Sequence, residues 1–262
     1  MIDLQDVTHT FHAEGRLTTA LTDITAQVDD REFVSIVGPS GCGKSTLLRI
    51  VAGLLPPSRG QVVVDGTAVS EPLGDIGFVF QKPVLFQWRT ALDNVLFPYE
   101  VRAQQDKAMR ARREEFRERA RSLLDLVGLS GFEKAYPREL SGGMGQRVAI
   151  CRALLLDPAF LLMDEPFGAV DEFTRDRLNV ELLRIWEGTD KTVLFVTHHL
   201  PEAVFLSDRV IVLSAHPGRV VADITISLDR PRRPAIRDSV AFLEETLRVR
   251  KHLQFDETPS RA

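Results

Sequence analysis

Residues 38–46 read Gly38-Pro39-Ser40-Gly41-Cys42-Gly43-Lys44-Ser45-Thr46, and they constrain the fold more than any other stretch. An apolar run over 33–37 precedes them and an apolar segment over 47–55 follows. That is a strand, a glycine-rich turn and a helix, with the spacing G-x-x-x-x-G-K-[ST]. Glycines let successive backbone N–H groups turn toward one anion, and the helix start adds the positive end of its dipole. In such a loop Lys44 reaches the β- and γ-phosphates of a nucleotide, and the Ser45 hydroxyl sits on Mg²⁺. A glycine-rich turn by itself is only a turn. Combined with the Lys-Ser pair between a strand and a helix, it points to nucleotide binding, and the rest of the chain is then read as machinery around that nucleotide.

At 262 residues the chain can bury a substantial core in one large or two small domains. A net charge of −4 gives no reason to expect nucleic acid as a partner. Cys42 and Cys151 cannot build a disulfide framework, and pairing Cys42 would block the phosphate loop, so a reducing compartment is expected. Met1-Ile2-Asp3-Leu4-Gln5-Asp6 lacks the basic and apolar regions of a signal peptide. No apolar run approaches the ~20 residues needed to cross a bilayer, so any membrane work requires another chain to supply the span.

In chain order, residues 2–7 alternate as a half-buried strand does, and strands are expected over 21–28, 33–37, 61–64 and 76–80. Phe11 lies in a polar stretch, where it is either a core or lid residue or a ring for stacking an adenine. Asp65-Gly66 is a hairpin signal. Gln81 ends the 76–80 strand and is, on its own, a plain surface glutamine. The periodicity over 106–126 predicts one charged helix with Phe116, Ala120, Leu123, Leu124 and Val127 on its inner face, ended by Gly128 and Gly131. Ser141 is an N-cap for a helix running to about Leu156, and its Ser141-Gly142-Gly143 start exposes N–H groups to any nearby anion.

Residues 159–163 form an unbroken apolar run, as a strand buried on both faces would. It ends in Asp164-Glu165, an adjacent acid pair that is costly at the end of a buried strand unless it has a task. Asp164 can hold Mg²⁺ through water, while Glu165 points the other way and can polarise an attacking water. Another buried strand over 193–197 leads to His198-His199, at the edge where open parallel sheets bind ligands, or where either ring merely caps the helix that starts near Pro201-Glu202. Edge strands are expected over 210–213 and 220–226, a linker over 229–234, a short helix over 240–253, and disorder over 256–262.

Taken together these motifs resemble the ATPase subunits of ABC transporters over residues 2–228. They stand in that family's order: the phosphate loop, Phe80-Gln81-Lys82-Pro83, Leu140-Ser141-Gly142-Gly143, Leu162-Met163-Asp164-Glu165-Pro166, Gly168-Ala169-Val170-Asp171 and Thr197-His198. The resemblance implies an α/β P-loop NTPase fold, with a RecA-like core carrying an antiparallel β subdomain (about 1–87 and 157–228), an inserted helical subdomain (about 88–156) and a tail over 229–262. It implies adenine stacking by Phe11, Glu165 as the catalytic base, Asp164 on the Mg²⁺ shell, Gln81 on Mg²⁺ and the attacking water, and His198 on the γ-phosphate. It also implies a head-to-tail pair of such subunits, each binding ATP and Mg²⁺ between its own residues 38–46 and the partner's copies of Ser141, Gly142 and Gly143, with Asp171 linking the two sites. Permease subunits and, indirectly, an extracytoplasmic solute-binding protein are the further implied partners, at the cytoplasmic face of the plasma membrane. Met144 and Gly145 depart from the residues usual after the signature, and His199 replaces the usual Asp or Ser. Residues 88–95 and Asp229-Arg230-Pro231-Arg232 resemble the nitrate, sulfonate and taurine importers. The exporter and lipoprotein-release ATPases share every catalytic motif and remain an alternative; a soluble ABC protein or a nucleotide kinase fits less of the chain.

Overall fold

A computed structural model of the chain describes residues 1–13, 16–168 and 170–254. The expectation for 256–262 lies outside them. The chain builds two sheets. Strands β1 (Ile2–Ala13), β2 (Arg16–Val28), β4 (Arg59–Val64) and β5 (Thr67–Ala68) form an antiparallel sheet in the order β2-β1-β4-β5. Strands β3 (Phe33–Val37), β6 (Ile76–Val79), β7 (Phe160–Asp164), β8 (Thr192–Val196), β9 (Arg209–Leu213) and β10 (Val220–Thr225) form the second, in the order β10-β9-β3-β8-β7-β6. All neighbours in the second sheet run parallel except β10 against β9.

The second sheet is apolar on both faces because both faces are covered. Alternation decides which residue meets which layer. Leu161, Met163, Val193, Phe195, Val210 and Val212 join a cluster with Phe33, Trp186 and Phe205. That face is covered by α6 (Glu172–Glu187), α7 (Leu200–Leu206) and α8 (Val240–Gln254). The residues between them, Leu162, Leu194, Val196, Ile211 and Leu213, meet Leu47, Leu48 and Ile50 of α1 (Lys44–Val51) and Ile2, Leu4 and Ile24 of the antiparallel sheet. The phosphate-loop helix is therefore packed between two sheets. A separate cluster joins α2 (Ala91–Gln105), α4 (Arg113–Leu126) and α5 (Gly142–Leu154) through Val95, Tyr99, Phe116, Leu124, Val148 and Cys151.

Four expectations need correction. The helix expected over 106–126 is two, α3 (Lys107–Ala111) and α4, because the Tyr99 hydroxyl donates to the carbonyls of Met109 and Arg110 and Arg112 leaves helical geometry at φ −93°, ψ 21°. Strand β9 is internal, paired with β3 and β10. The stretch over 229–234 is not a loose linker: Arg232 is 5% exposed and Leu228, Phe242 and Val249 belong to the main core. The strand expected over 2–7 continues to Ala13 and carries Phe11 in it.

Candidate functional site

The site is assembled at the carboxyl ends of β3, β7 and β8, where a parallel sheet opens toward ligands. The chain leaves β3 at Gly38 and enters α1 through Gly41 at φ 79° and Gly43 at φ 101°. Gly43 has no alternative: a Cβ there would lie 2.8 Å from the Ala20 carbonyl oxygen and 2.6 Å from the Leu21 side chain. Lys44 folds back so that its Nζ donates to the carbonyls of Gly38 and Pro39, each at 2.8 Å, and it is 5% exposed. The ammonium thus stays at the loop's centre with two neutral oxygens that a phosphate would outcompete.

Ser45 Oγ donates to Asp164 Oδ1 at 2.8 Å. Burial pushes the Asp164 carboxyl above its usual range, the Ser45 hydrogen bond opposes this, and the neighbouring Glu165 charge adds to it. A hydroxyl and a carboxylate oxygen side by side at a phosphate loop are a fit for Mg²⁺, which takes one or two protein oxygens and completes its shell with phosphates and water. Positive charge there would also relieve the buried acid.

Glu165 leaves the strand with φ 45°, its N–H donating to Val196 O of β8 at 2.9 Å. The turn to a left-handed residue, rather than strand alternation, separates its carboxylate from that of Asp164. Glu165 Oε2 accepts from Gln81 Nε2 at 3.0 Å and lies 3.3 Å from His198 Nδ1. Three elements thereby place an acid, an amide and an imidazole within hydrogen-bond reach of one point, beside the phosphate loop. Such a group can orient a water and take its proton.

Phe11 is 40% exposed and meets the His9 ring edge-on at 4.5 Å, so it is not a core residue. It lines a cleft of about 510 Å³ that also touches residues 40–41, 43–46, Gln81, Glu165 and His198. Thr18, Ala20 and His216 line this cleft too and were not singled out by sequence. In sequence Pro217-Gly218 signals no more than a turn. Gly218 in fact presses on the phosphate loop, since a Cβ there would meet Cys42 O at 2.1 Å, and it exchanges hydrogen bonds with Ala20 and Thr22.

Ser141, Gly142, Gly143 and Asp171 lie outside the cleft lining. Ser141 Oγ accepts from Met144 N at 3.3 Å and caps α5 while staying exposed. Asp171 caps α6 by accepting from Thr174 N at 3.0 Å; the Thr174 hydroxyl and amide hold its carboxyl below the usual range. The two helix starts touch, as a Cβ on Gly143 would lie 2.8 Å from Val170 Cγ1. The route from the cleft to the helical layer is pinned at both ends: Gln146 Nε2 donates to Phe80 O, and buried Asn94 holds the backbone of Phe86, Arg89 and Thr90.

Residues 21–168 match the family model described as ABC transporter. The chain belongs to the ABC transporter ATPase family. It is 49% identical over 93% of its length to an uncharacterised ABC transporter ATP-binding protein of Methanocaldococcus jannaschii, covering 87% of that protein. It is 41% identical to the aliphatic sulfonates import ATP-binding protein SsuB of Bacillus thuringiensis, over 97% of this chain and 96% of the relative. Identity to the taurine import ATP-binding protein TauB of Rhizobium johnstonii is 47%, over 82% and 80%. Among solved structures it resembles a dimeric ATP-binding cassette in a post-hydrolysis state bound to ADP and Pi, at a TM-score of 0.77 and 33% identity, over 87% of this chain and all of that one. The chain is thus an ATPase that uses ATP and Mg²⁺, on the ABC ATPase fold expected from its motifs.

Proposed function

We propose that this ABC ATPase drives a binding-protein-dependent importer of a small solute of the nitrate, sulfonate or taurine kind, working in pairs at the cytoplasmic face of a membrane. The observation carrying the paired reading is the split of the motifs: Ser40, Gly41, residues 43–46, Gln81, Glu165 and His198 line one cleft, whereas Ser141, Gly142 and Gly143 are not among its lining residues. A helix start with exposed N–H groups has use for an anion. A second copy bringing ATP would supply one. In the closed pair Phe11 would stack on adenine and Lys44 would hold the β- and γ-phosphates, while Ser45 and Asp164 would hold Mg²⁺, whose charge would offset that of the phosphates. Glu165 takes the proton of the attacking water, with Gln81 orienting it and His198 donating to the γ-phosphate. Asp171 lies where the two copies meet.

Import is supported by the names of the sulfonate and taurine relatives. Among the described residues no helix is long and apolar enough to cross a membrane, so a permease subunit supplies the span. Its docking face is the helical layer near Gln81. Trp88 is 74% and Val84 60% exposed, and a groove of about 450 Å³ between α2 and α4 is lined by Asp93 and Glu100 of the first and Arg113 and Arg117 of the second.

The test is association under ATP. Ser141→Arg is expected to abolish ATP-driven dimerisation in sedimentation experiments while the monomer still binds ATP. Loss of ATP binding by the monomer would place the signature in its own cleft and overturn the paired reading.

A further inference from the structure

A polar network lies buried beneath the cleft. Glu202, in the first turn of α7, is 3% exposed; its Oε2 accepts from Thr197 Oγ1, and its Oε1 has no hydrogen-bond partner. The Thr197 oxygen also accepts from His199 N at 3.0 Å. This one hydroxyl therefore fixes the chain on both sides of His198. From α6, fully buried Asn179 lies beside the Glu202 carboxyl without a regular hydrogen bond, and the Arg175 charge faces Glu202 and His199. Arg175 donates from Nε to Phe167 O at 3.3 Å and from Nη2 to Val170 O at 3.0 Å, which holds the turn joining Glu165 to Asp171. A cavity of about 10 Å³ is shared by Glu165 and His198 with Thr197, Arg175 and Glu202.

Stability does not account for this arrangement. A buried carboxyl with one unpartnered oxygen costs more than an apolar side chain filling the same space. What the network does is tie two turns together, one carrying His198 and one carrying Glu165 into Asp171.

Resting on the reading of Glu165 and His198 as the hydrolytic pair, we propose that Glu202, with Thr197 and Arg175, is a positioning residue for hydrolysis, holding both turns in one register. None of Glu202, Thr197 and Arg175 lines the cleft that holds the phosphate loop, so the effect of the network falls on turnover rather than on ATP affinity.

The experiment measures kcat, KM and ATP affinity on the full chain. Thr197→Val keeps the volume and removes both hydrogen bonds; it is expected to lower kcat about 10- to 100-fold, the scale of a sub-ångström to ångström misplacement, with KM and ATP affinity unchanged. Thr197→Ser restores turnover. Glu202→Gln keeps an oxygen for Thr197 and offers its amide to the unpartnered Asn179 oxygen, so it retains turnover, whereas Glu202→Leu behaves as Thr197→Val. Unchanged kcat in a folded Thr197→Val, or a loss that Thr197→Ser does not recover, overturns the proposal. If Thr197→Val does not fold, the Glu202→Gln and Glu202→Leu pair decides: equal turnover in the two overturns it. Glu165→Gln is the control. An inactive Glu165→Gln beside a fully active Thr197→Val defeats the network alone, and an active Glu165→Gln defeats the hydrolytic pair beneath it.

Discussion

Arg232 gives the sharpest test of how the C-terminal segment belongs to the fold. Its guanidinium is buried and donates from Nη1 to Val204 O (2.9 Å), Phe205 O (3.2 Å) and Ser207 O (2.7 Å), and from Nη2 and Nε to Leu228 O (3.2 and 3.3 Å). The first three carbonyls end α7, a seven-residue helix whose final acceptors have no partner of their own. Burial lowers the Arg232 pKa to about 10, so the group is still charged at neutral pH. Arg232→Met keeps much of the stem and removes every donor. Stranding three or four buried acceptors costs ~1–3 kcal/mol each, and the relieved desolvation of the guanidinium returns several kcal/mol, which leaves a net loss of about 3 kcal/mol. In urea titrations the midpoint should fall with the slope unchanged, and the melting temperature should drop by roughly 6–12 °C for a chain of this size. A loss below about 1 kcal/mol would refute the reasoning, because it would mean that the carbonyls find other partners and the tail only rests on the surface.

Gly145→Ala should stabilise the chain by about 0.5–1 kcal/mol, since glycine weakens a helix interior and a Cβ there meets Pro83 and Leu85 no closer than 3.5 Å; a lowered urea midpoint would contradict it. Glu202 predicts a pH effect. Burial raises its carboxyl above the ordinary 4.5, against the opposing influence of the Thr197 hydroxyl, Arg175, Asn179 and His198. Folding therefore favours the protonated acid. That contribution is full below pH 4.5 and is lost as pH rises through the folded pKa. Glu202→Gln lacks the loss, so its advantage over the native chain should widen from pH 4.5 upward, by at most about 1.4 kcal/mol per pH unit. A gap constant with pH would mean that the acid does not titrate differently in the folded state.

The parts of this molecule legible in the sequence are those governed by local pattern. Apolar runs bounded by glycine and acids locate β3, β7 and β8, and Ser141 marks the start of α5, because strand burial and helix capping depend on neighbours in sequence. Motif order implies that Gln81, Glu165 and His198 share a site, while their mutual distances depend on the parallel pairing of β6, β7 and β8. What pattern cannot reveal is long-range bonding. Arg232 in a proline- and arginine-rich stretch looks like solvated linker until its carbonyl partners 25–28 residues away are known. The break between α3 and α4 hides for the same reason, since the Tyr99 hydroxyl that caps it comes from α2. Gly218 and His216 stay hidden in the sequence because a turn residue shows nothing of the loop it packs against.

The central claim is that Glu165 serves as the base of a site completed by a second copy of the chain. Its most direct test is Glu165→Gln assayed with Mg²⁺-ATP for both turnover and mass in solution. Removing the proton acceptor while keeping the shape and the Gln81 contact should abolish hydrolysis, leaving ATP bound and the chain held as a dimer. Hydrolysis at the native rate, or ATP bound to a protein that stays monomeric, would contradict the account.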